Sequence, residues 1–389
     1  MAREVVVLDV LRTPFTRGVK GLFRNTRPDT LAAEVVKALL ARYPQLTPSE
    51  IDDVIVGIAM PEAEQGMNAA RLIGLLAGLP AEVPAMTVNR FCSSGSQTFG
   101  LAADRIALGY SDLALAGGTE SMSMIPMGGN KVSASPELME SCPEAYTPMG
   151  TTAENVATRF EVARADQDAF ALRSHQRALA AQAAGYLGEE IIPISTTVLE
   201  AGGPQAITVD KDECPRADTT LDGLSKLRPA FNPKGSVTAG NSSPLTDGAA
   251  MGLLASAEKA EALGIKPLGT FHAWAVAGVA PDIMGIGPVP AVRKLLAKTG
   301  LSLKDIDVIE LNEAFAAQGL YCMRELGLDP DKVNPNGGAI AIGHPLGATG
   351  ARQIGAALRH LRRTGGRYGI VTMCIGGGMG FACLVEAKP

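Results

Sequence analysis

Two stretches of this chain repeat one pattern, and the repeat narrows its folds more than any other feature. Leu46-Thr47-Pro48-Ser49-Glu50-Ile51-Asp52-Asp53-Val54-Ile55-Val56 is echoed almost position by position by Leu301-Ser302-Leu303-Lys304-Asp305-Ile306-Asp307-Val308-Ile309. Each reads as a capped turn leading into a buried strand. Cys92 follows Ile51 by 41 residues, and His344 follows Ile306 by 38. The two side chains therefore fall at equivalent strand–turn–helix junctions of two similar units. Packed about a pseudo-two-fold axis, the two helix N-termini converge at the centre.

The flanking pattern fills out both units. A buried strand is predicted over residues 4–10, a helix over 30–42 capped by Asp29 or Thr30, a second helix over 68–78, and a strand at Leu113–Ala116 closed by Gly117-Gly118. In the second half come a helix over 313–327, a strand and turn ending at Gly343-His344-Pro345, a helix from Thr349, and a strand from Tyr368 to Cys374. This alternation implies an α/β protein with a mostly parallel sheet covered on both faces. The halves are residues 1–118, completed by about 244–267, and residues 268–389. Between them, 119–243 reads as an inserted loop domain rich in Met, Pro, Ser and Gly, with a helix from Arg164 to Ala184. It also gathers Lys211, Arg216, Lys226, Arg228 and Lys234. The run from Ser242 to Ala250 is expected to open a helix that returns to the first half.

Several function classes drop out. A net charge of -5 argues against nucleic acid as the main partner, so a polyanionic ligand needs a local basic patch. A carboxylate, Glu4, precedes any long apolar run, no uncharged apolar stretch is long enough to span a bilayer, and the C-terminal residues match no retention or lipidation signal. A cytoplasmic protein is the expectation. Six cysteines, none in a Cys-x-x-Cys pair, suit neither a zinc site nor a disulfide framework. No phosphate-binding P-loop is present, and Gly376-Gly377-Gly378-Met379-Gly380 lacks dinucleotide spacing.

Four pieces carry chemistry. Cys92 lies where an extended run ends and a helix begins, a place where unpaired N–H groups and the helix dipole lower a thiol pKa. Asn312-Glu313-Ala314-Phe315-Ala316, Gly343-His344-Pro345-Leu346-Gly347 and the Cys374 glycine loop each follow a predicted strand, where open α/β sheets place ligands. Singly, each has a plain structural reading. Cys92 and Cys374 are then small buried hydrophobes, Asn312 a helix cap and His344 a turn residue. Together those readings require four coincidences at matched positions.

Here the chain resembles the thiolase family, essentially end to end. The resemblance rests on Val88-Asn89-Arg90-Phe91-Cys92-Ser93-Ser94-Gly95, Gly117-Gly118-Thr119-Glu120-Ser121-Met122-Ser123, Asn312-Glu313-Ala314-Phe315-Ala316, Gly343-His344-Pro345-Leu346-Gly347-Ala348-Thr349-Gly350 and the Cys374 loop. It implies a thiolase-like five-layered fold, two similar mixed-sheet halves plus a loop domain. By the same resemblance Cys92 is the nucleophile and His344 its base, while Cys374 exchanges a proton with the acetyl-CoA carbanion and then with CoA. Asn312 holds a water beside His344, and the N–H groups of Cys92 and Gly376 form an oxyanion hole. Coenzyme A is a substrate, with no tightly bound cofactor. Its site is placed at Arg216, Leu227, Phe231, Gly240 and Ser243, with Ala314, Phe315 and Met149 over the tail. The expected partners are CoA and acyl-CoA thioesters and a second copy, as homodimer or homotetramer. A complex with a hydroxyacyl-CoA dehydrogenase is admitted.

The subtype turns on Pro148. Biosynthetic members usually carry histidine there, before Met149-Gly150, so proline favours degradative cleavage of 3-ketoacyl-CoA over acetoacetyl-CoA formation. A ketoacyl synthase would use two histidines and no second cysteine. A non-catalytic acyl-CoA- or lipid-binding relative would lose part of the set, and a thiol switch would pair Cys92 with Cys374 without acyl transfer.

Overall fold

Alternation along the first strand sets the layers. In the computed structural model, which describes residues 2–387, β1 (Val5–Arg12) turns Val5 and Val7 to one face and Val6 and Leu8 to the other. The first face packs on two central helices, Ser94–Ala107 and Leu346–Thr364; the second packs on the helix Pro28–Arg42. The remaining strands are β2 (Thr16–Arg17), β3 (Asp53–Gly57), β4 (Ala85–Val88), β5 (Leu113–Ser121), β6 (Ile194–Glu200), β7 (Gly203–Val209), β8 (Thr246–Ser256), β9 (Gly269–Gly278), β10 (Val308–Leu311), β11 (Tyr368–Ile375) and β12 (Met379–Glu386).

The second half sorts its residues in the same way. Val371, Met373, Phe381 and Cys383 face the central helices, while Ile370, Ala382 and Leu384 face Pro288–Thr299 and Ala316–Leu326. The order is helices, sheet, two buried helices, sheet, helices: five layers.

Sheet order makes the pseudo-symmetry explicit. One half reads β4-β3-β5-β8-β1 and the other β10-β11-β12-β9, joined where Val6 and Val7 meet Thr270 and Gly269. Parallel β3–β5 corresponds to parallel β10–β11, and antiparallel β5–β8 to antiparallel β11–β12. The place of β4 is taken by a single parallel bridge from Ile309 to Val333.

Four expectations are corrected. The sheet is mixed, as the resemblance implies, and not mostly parallel as the alternation suggests, because β11 and β12 form a hairpin through Gly377 and Gly378, both at positive φ, and β8 returns antiparallel between β1 and β5. The run after Ser242 forms β8 and not a helix. Its alanines and leucines favour helix locally, but all eleven residues of β8 are buried and seven of them are paired on both sides, and tertiary context overrides propensity. No strand precedes His344; the short helix Ala339–Ile342 stands there. Finally, the first long helix starts at Pro28, with Arg27 as its cap residue, while Asp29 sits in the first turn and accepts from Thr30 N–H at 2.9 Å. The other helices lie close to their expected spans, beginning at Ala69, Ala316 and Leu346.

The segment 119–243, expected as an insertion, starts inside β5, which continues to Ser121. It supplies the helix Arg164–Ala183 and the β6–β7 hairpin, whose Ile194 and Val209 pack on the outer face of the first sheet. Among the described residues, no helix is long and apolar enough to cross a membrane.

Candidate active site

The central helices cross where both begin. A Cβ on Gly95 would lie 2.4 Å from the carbonyl oxygen of Gly347, and one on Gly350 would lie 2.5 Å from Ser96 N. Glycine alone allows that approach, which draws the residues just before each helix together.

Cys92 sits in a tight turn, Phe91–Ser93, between β4 and the first central helix. Phe91 has φ +42°, a strained conformation held by Asn89 Oδ1 accepting from its N–H at 2.8 Å and by Ser94 Oγ accepting from Arg90 N–H at 2.9 Å. Cys92 is buried among Ala59, Met60, Met122, Ile125 and Leu346. Burial pushes its thiol up to about 11, against the N–H groups of Gly376 and of Cys92 itself, which favour the thiolate. The expected low pKa is thus overturned: removal from water outweighs the helix start. The resting group is a thiol that needs a base.

His344, just before the second central helix, is held in a defined tautomer. Thr349 Oγ1 donates its proton to Pro345 O at 2.9 Å, so at 2.7 Å from His344 Nδ1 it acts as acceptor. The imidazole proton is therefore assigned to Nδ1, leaving a lone pair on Nε2. Asn312 Nδ2 donates to that Nε2 at 3.2 Å. Burial lowers the His344 pKa to about 4, so the ring is neutral. Asn312 is thereby shown to be no helix cap, since the following helix starts after Phe315. Its Oδ1 is buried without a hydrogen-bond partner.

Cys374 lies one residue from the end of β11, fully buried, and burial holds its thiol well above the ordinary range, with Cys92 adding to the shift. It packs with Ala314 and Phe315, and partly buried Met149 touches both this cluster and that of Cys92. Gly376 directs its N–H at the Cys92 sulfur.

Glu120 is the residue that sequence reasoning left without a part. Its buried carboxylate accepts from Ala59 N–H (2.8 Å), Met60 N–H (3.1 Å), Gln65 Nε2 (2.7 Å) and Gly347 N–H (2.9 Å). It thus ties the loop over Cys92 to the helix that follows His344. Its signal was an acidic residue among the small residues of a buried strand end, Gly117-Gly118-Thr119-Glu120.

The residues expected around CoA fall into two groups. Arg216, Leu227 and Gly240 line a cavity of about 480 Å³, with Arg17, His175 and Cys214. Arg17, far away in sequence, makes no ion pair among the described residues and gave no earlier sign. His175 accepts from Arg216 N–H through Nδ1 at 3.2 Å, and burial, aided by Arg216, lowers it to about 4. Ser243, Phe231, Ala314, Phe315 and Met149 do not line this cavity. They form the wall beyond it: Ser243 N–H donates to Ala314 O at 3.0 Å, and Phe231 meets Phe315 edge-on at 5.9 Å. That wall continues into the Cys374 cluster.

A thiol with a neutral imidazole base nearby, a second thiol, and backbone donors at the sulfur make a site for acyl transfer through a thioester. The chain belongs to the thiolase family: the family model "Thiolase, N-terminal domain" matches residues 5–258 and "Thiolase, C-terminal domain" matches residues 265–387. Within the family it is 51% identical to the 3-ketoacyl-CoA thiolase of Bacillus subtilis, over 99% of each chain. It is 49% identical to the beta-ketoadipyl-CoA thiolase of Pseudomonas aeruginosa, over 99% of this chain and all of the relative. The dimeric peroxisomal thiolase of Saccharomyces cerevisiae superposes with a TM-score of 0.91 at 39% identity, over 99% of this chain and 98% of that one.

Proposed function

We propose that this chain is a degradative 3-ketoacyl-CoA thiolase, cleaving its substrate with CoA to acetyl-CoA and a shortened acyl-CoA. The observation that supports the reading is the crossing of the two central helices, which sets Leu346 against Cys92, with His344, paired to Asn312, just before the second helix and the Cys374–Gly376 turn beside the Cys92 sulfur.

In this reading His344 Nε2 takes the Cys92 proton as the sulfur attacks C3 of the substrate. Neither ion is favoured alone in so dry a site, so proton transfer and attack are coupled. The C3 oxyanion accepts from the N–H groups of Cys92 and Gly376. The C2–C3 bond breaks, its electron pair moves into the acetyl-CoA enolate beside His344 and Asn312, and Cys374 protonates C2. Incoming CoA then gives its thiol proton to Cys374, its sulfur takes the acyl group from Cys92, and the leaving Cys92 sulfur recovers its proton from His344. Arg216 and Arg17 stand where the phosphates of CoA need cations, and the wall from Ser243 to Phe315 leads its tail inward.

Peptide mass mapping after mixing with a 3-ketoacyl-CoA and no free CoA tests this. The shortened acyl group should appear on Cys92 and leave when CoA is added; a free Cys92 in a protein that still binds CoA esters would leave only a binding role. Fastest labelling by acetoacetyl-CoA would favour the biosynthetic subtype.

We also propose a homodimer through the free edge of β4. All four of its residues are half-buried, and the nearby Met67, Leu72, Leu75 and Leu76 are exposed. Light scattering should give twice 40.3 kDa, and a mass of 40.3 kDa with full activity would refute it.

A further inference from the structure

The helix that begins after His344 ends, roughly 25 Å away, at a second cavity with a different chemistry. It holds about 380 Å³ and lies against β1 and the link into β9. Arg359, Arg362 and Arg363 reach it from the helix, Arg42 from the end of the helix Pro28–Arg42, and Lys266 from that link. Against these five cations stand two carboxylates, Asp9 and Glu189, in a protein whose net charge is -5.

The carboxylates are already committed. Asp9 accepts from Arg42 at 2.8 Å and from Arg359 at 2.7 Å, and Glu189 pairs with Arg363 at 3.2 Å. Lys266 and Arg362 make no ion pair or hydrogen bond among the described residues. Arg359, although buried, keeps one terminal nitrogen, Nη1, without a partner. A neighbouring cavity of about 440 Å³ shares Lys266 and Arg362 and adds Arg367.

Basic residues at a helix C-terminus ordinarily offset the helix dipole, which amounts to about half a negative charge. That accounts for one arginine at most, and for neither Lys266 nor Arg42, which belong to other elements. Cations concentrated in a concave, partly dry site focus their field outward and attract an anion. Guanidinium forks match the oxygens of a phosphate.

We propose that these adjoining cavities bind a small soluble anion carrying a diphosphate group, held by Lys266 and Arg362 and remote from the acyl-transfer site. Two unpaired cations shared by two cavities fit two linked phosphates better than one.

The test is calorimetric titration of the full-length protein with inorganic pyrophosphate at low salt. A saturable site that persists in the Arg216→Ala protein is expected, weakened at least about tenfold by Lys266→Ala with Arg362→Ala and weakened by added salt. Arg216→Ala separates this site from the CoA cavity and should leave pyrophosphate binding intact. Lys266 and Arg362 are exposed, so the double variant should keep wild-type thermal stability and thiolysis without pyrophosphate. Were it to lose stability, Arg362→Glu alone gives the same reading by charge reversal. No saturable binding, binding lost with Arg216 and kept without Lys266 and Arg362, or binding only to phosphatidylglycerol vesicles would each overturn the proposal.

Discussion

Thr349 shows how one hydroxyl sets the chemistry of another residue. Because it donates to Pro345 O, it can only accept from His344 Nδ1, and this keeps the proton off Nε2, whose lone pair faces Asn312 Nδ2. Replacing it with valine leaves a buried N–H unpaired at a cost of about 1–3 kcal/mol, or frees the ring to place its proton on Nε2. Thr349→Val should lower kcat about tenfold to a hundredfold with little change in KM, and Thr349→Ser should restore most of it. Equal losses in both variants, or a rise in KM alone, would mean that Thr349 only packs. The sequence named His344 because few histidines exist and this one follows a matched junction. It left Thr349 and Glu120 without roles, since a hydroxyl five residues on and an acid from the other half acquire them only through three-dimensional contact.

Elements were legible where periodicity was strong and local. The helix from Arg164 is one case, and the matched turns before β3 and β10 are another, each closed by a capping box at Thr47–Glu50 and Ser302–Asp305. β8 was not, because its small apolar residues carry no period of their own and its strand state comes from neighbours distant in sequence. The same small residues decide how the central helices meet. On propensity alone, Gly95→Ala should stabilise its helix by about 1 kcal/mol. Contact predicts the opposite, since the new methyl would press on the Gly347 carbonyl. We expect a net loss of about 1–3 kcal/mol, read as a lower denaturant midpoint, and a loss of activity as the two junctions part. A rise in the midpoint would show that the crossing has slack.

At the scale of the whole molecule, the repeat suggests two domains that fold separately, yet the layers argue otherwise. Fifteen of the nineteen residues of Leu346–Thr364 are buried, and the cluster around it draws on strands of both halves. Its charges are also answered across the divide: Arg359 meets Asp9 of β1, and Arg352 lies between Glu310 of its own half and Glu190 of the insertion. A helix buried on all sides cannot hide its surface against one sheet alone. Removing one partner of a buried pair leaves a charge with nothing to offset it. The fragment 268–389 expressed alone should therefore show no cooperative thermal transition and should expose apolar surface to a reporter dye. Adding the fragment 1–267 should restore a cooperative transition and thiolysis together, because the catalytic groups and the core that holds them lie at the same junction. A fragment 268–389 that melts cooperatively by itself would mean that the central helices are a docking surface between two finished domains, and that the active site forms after folding instead of with it.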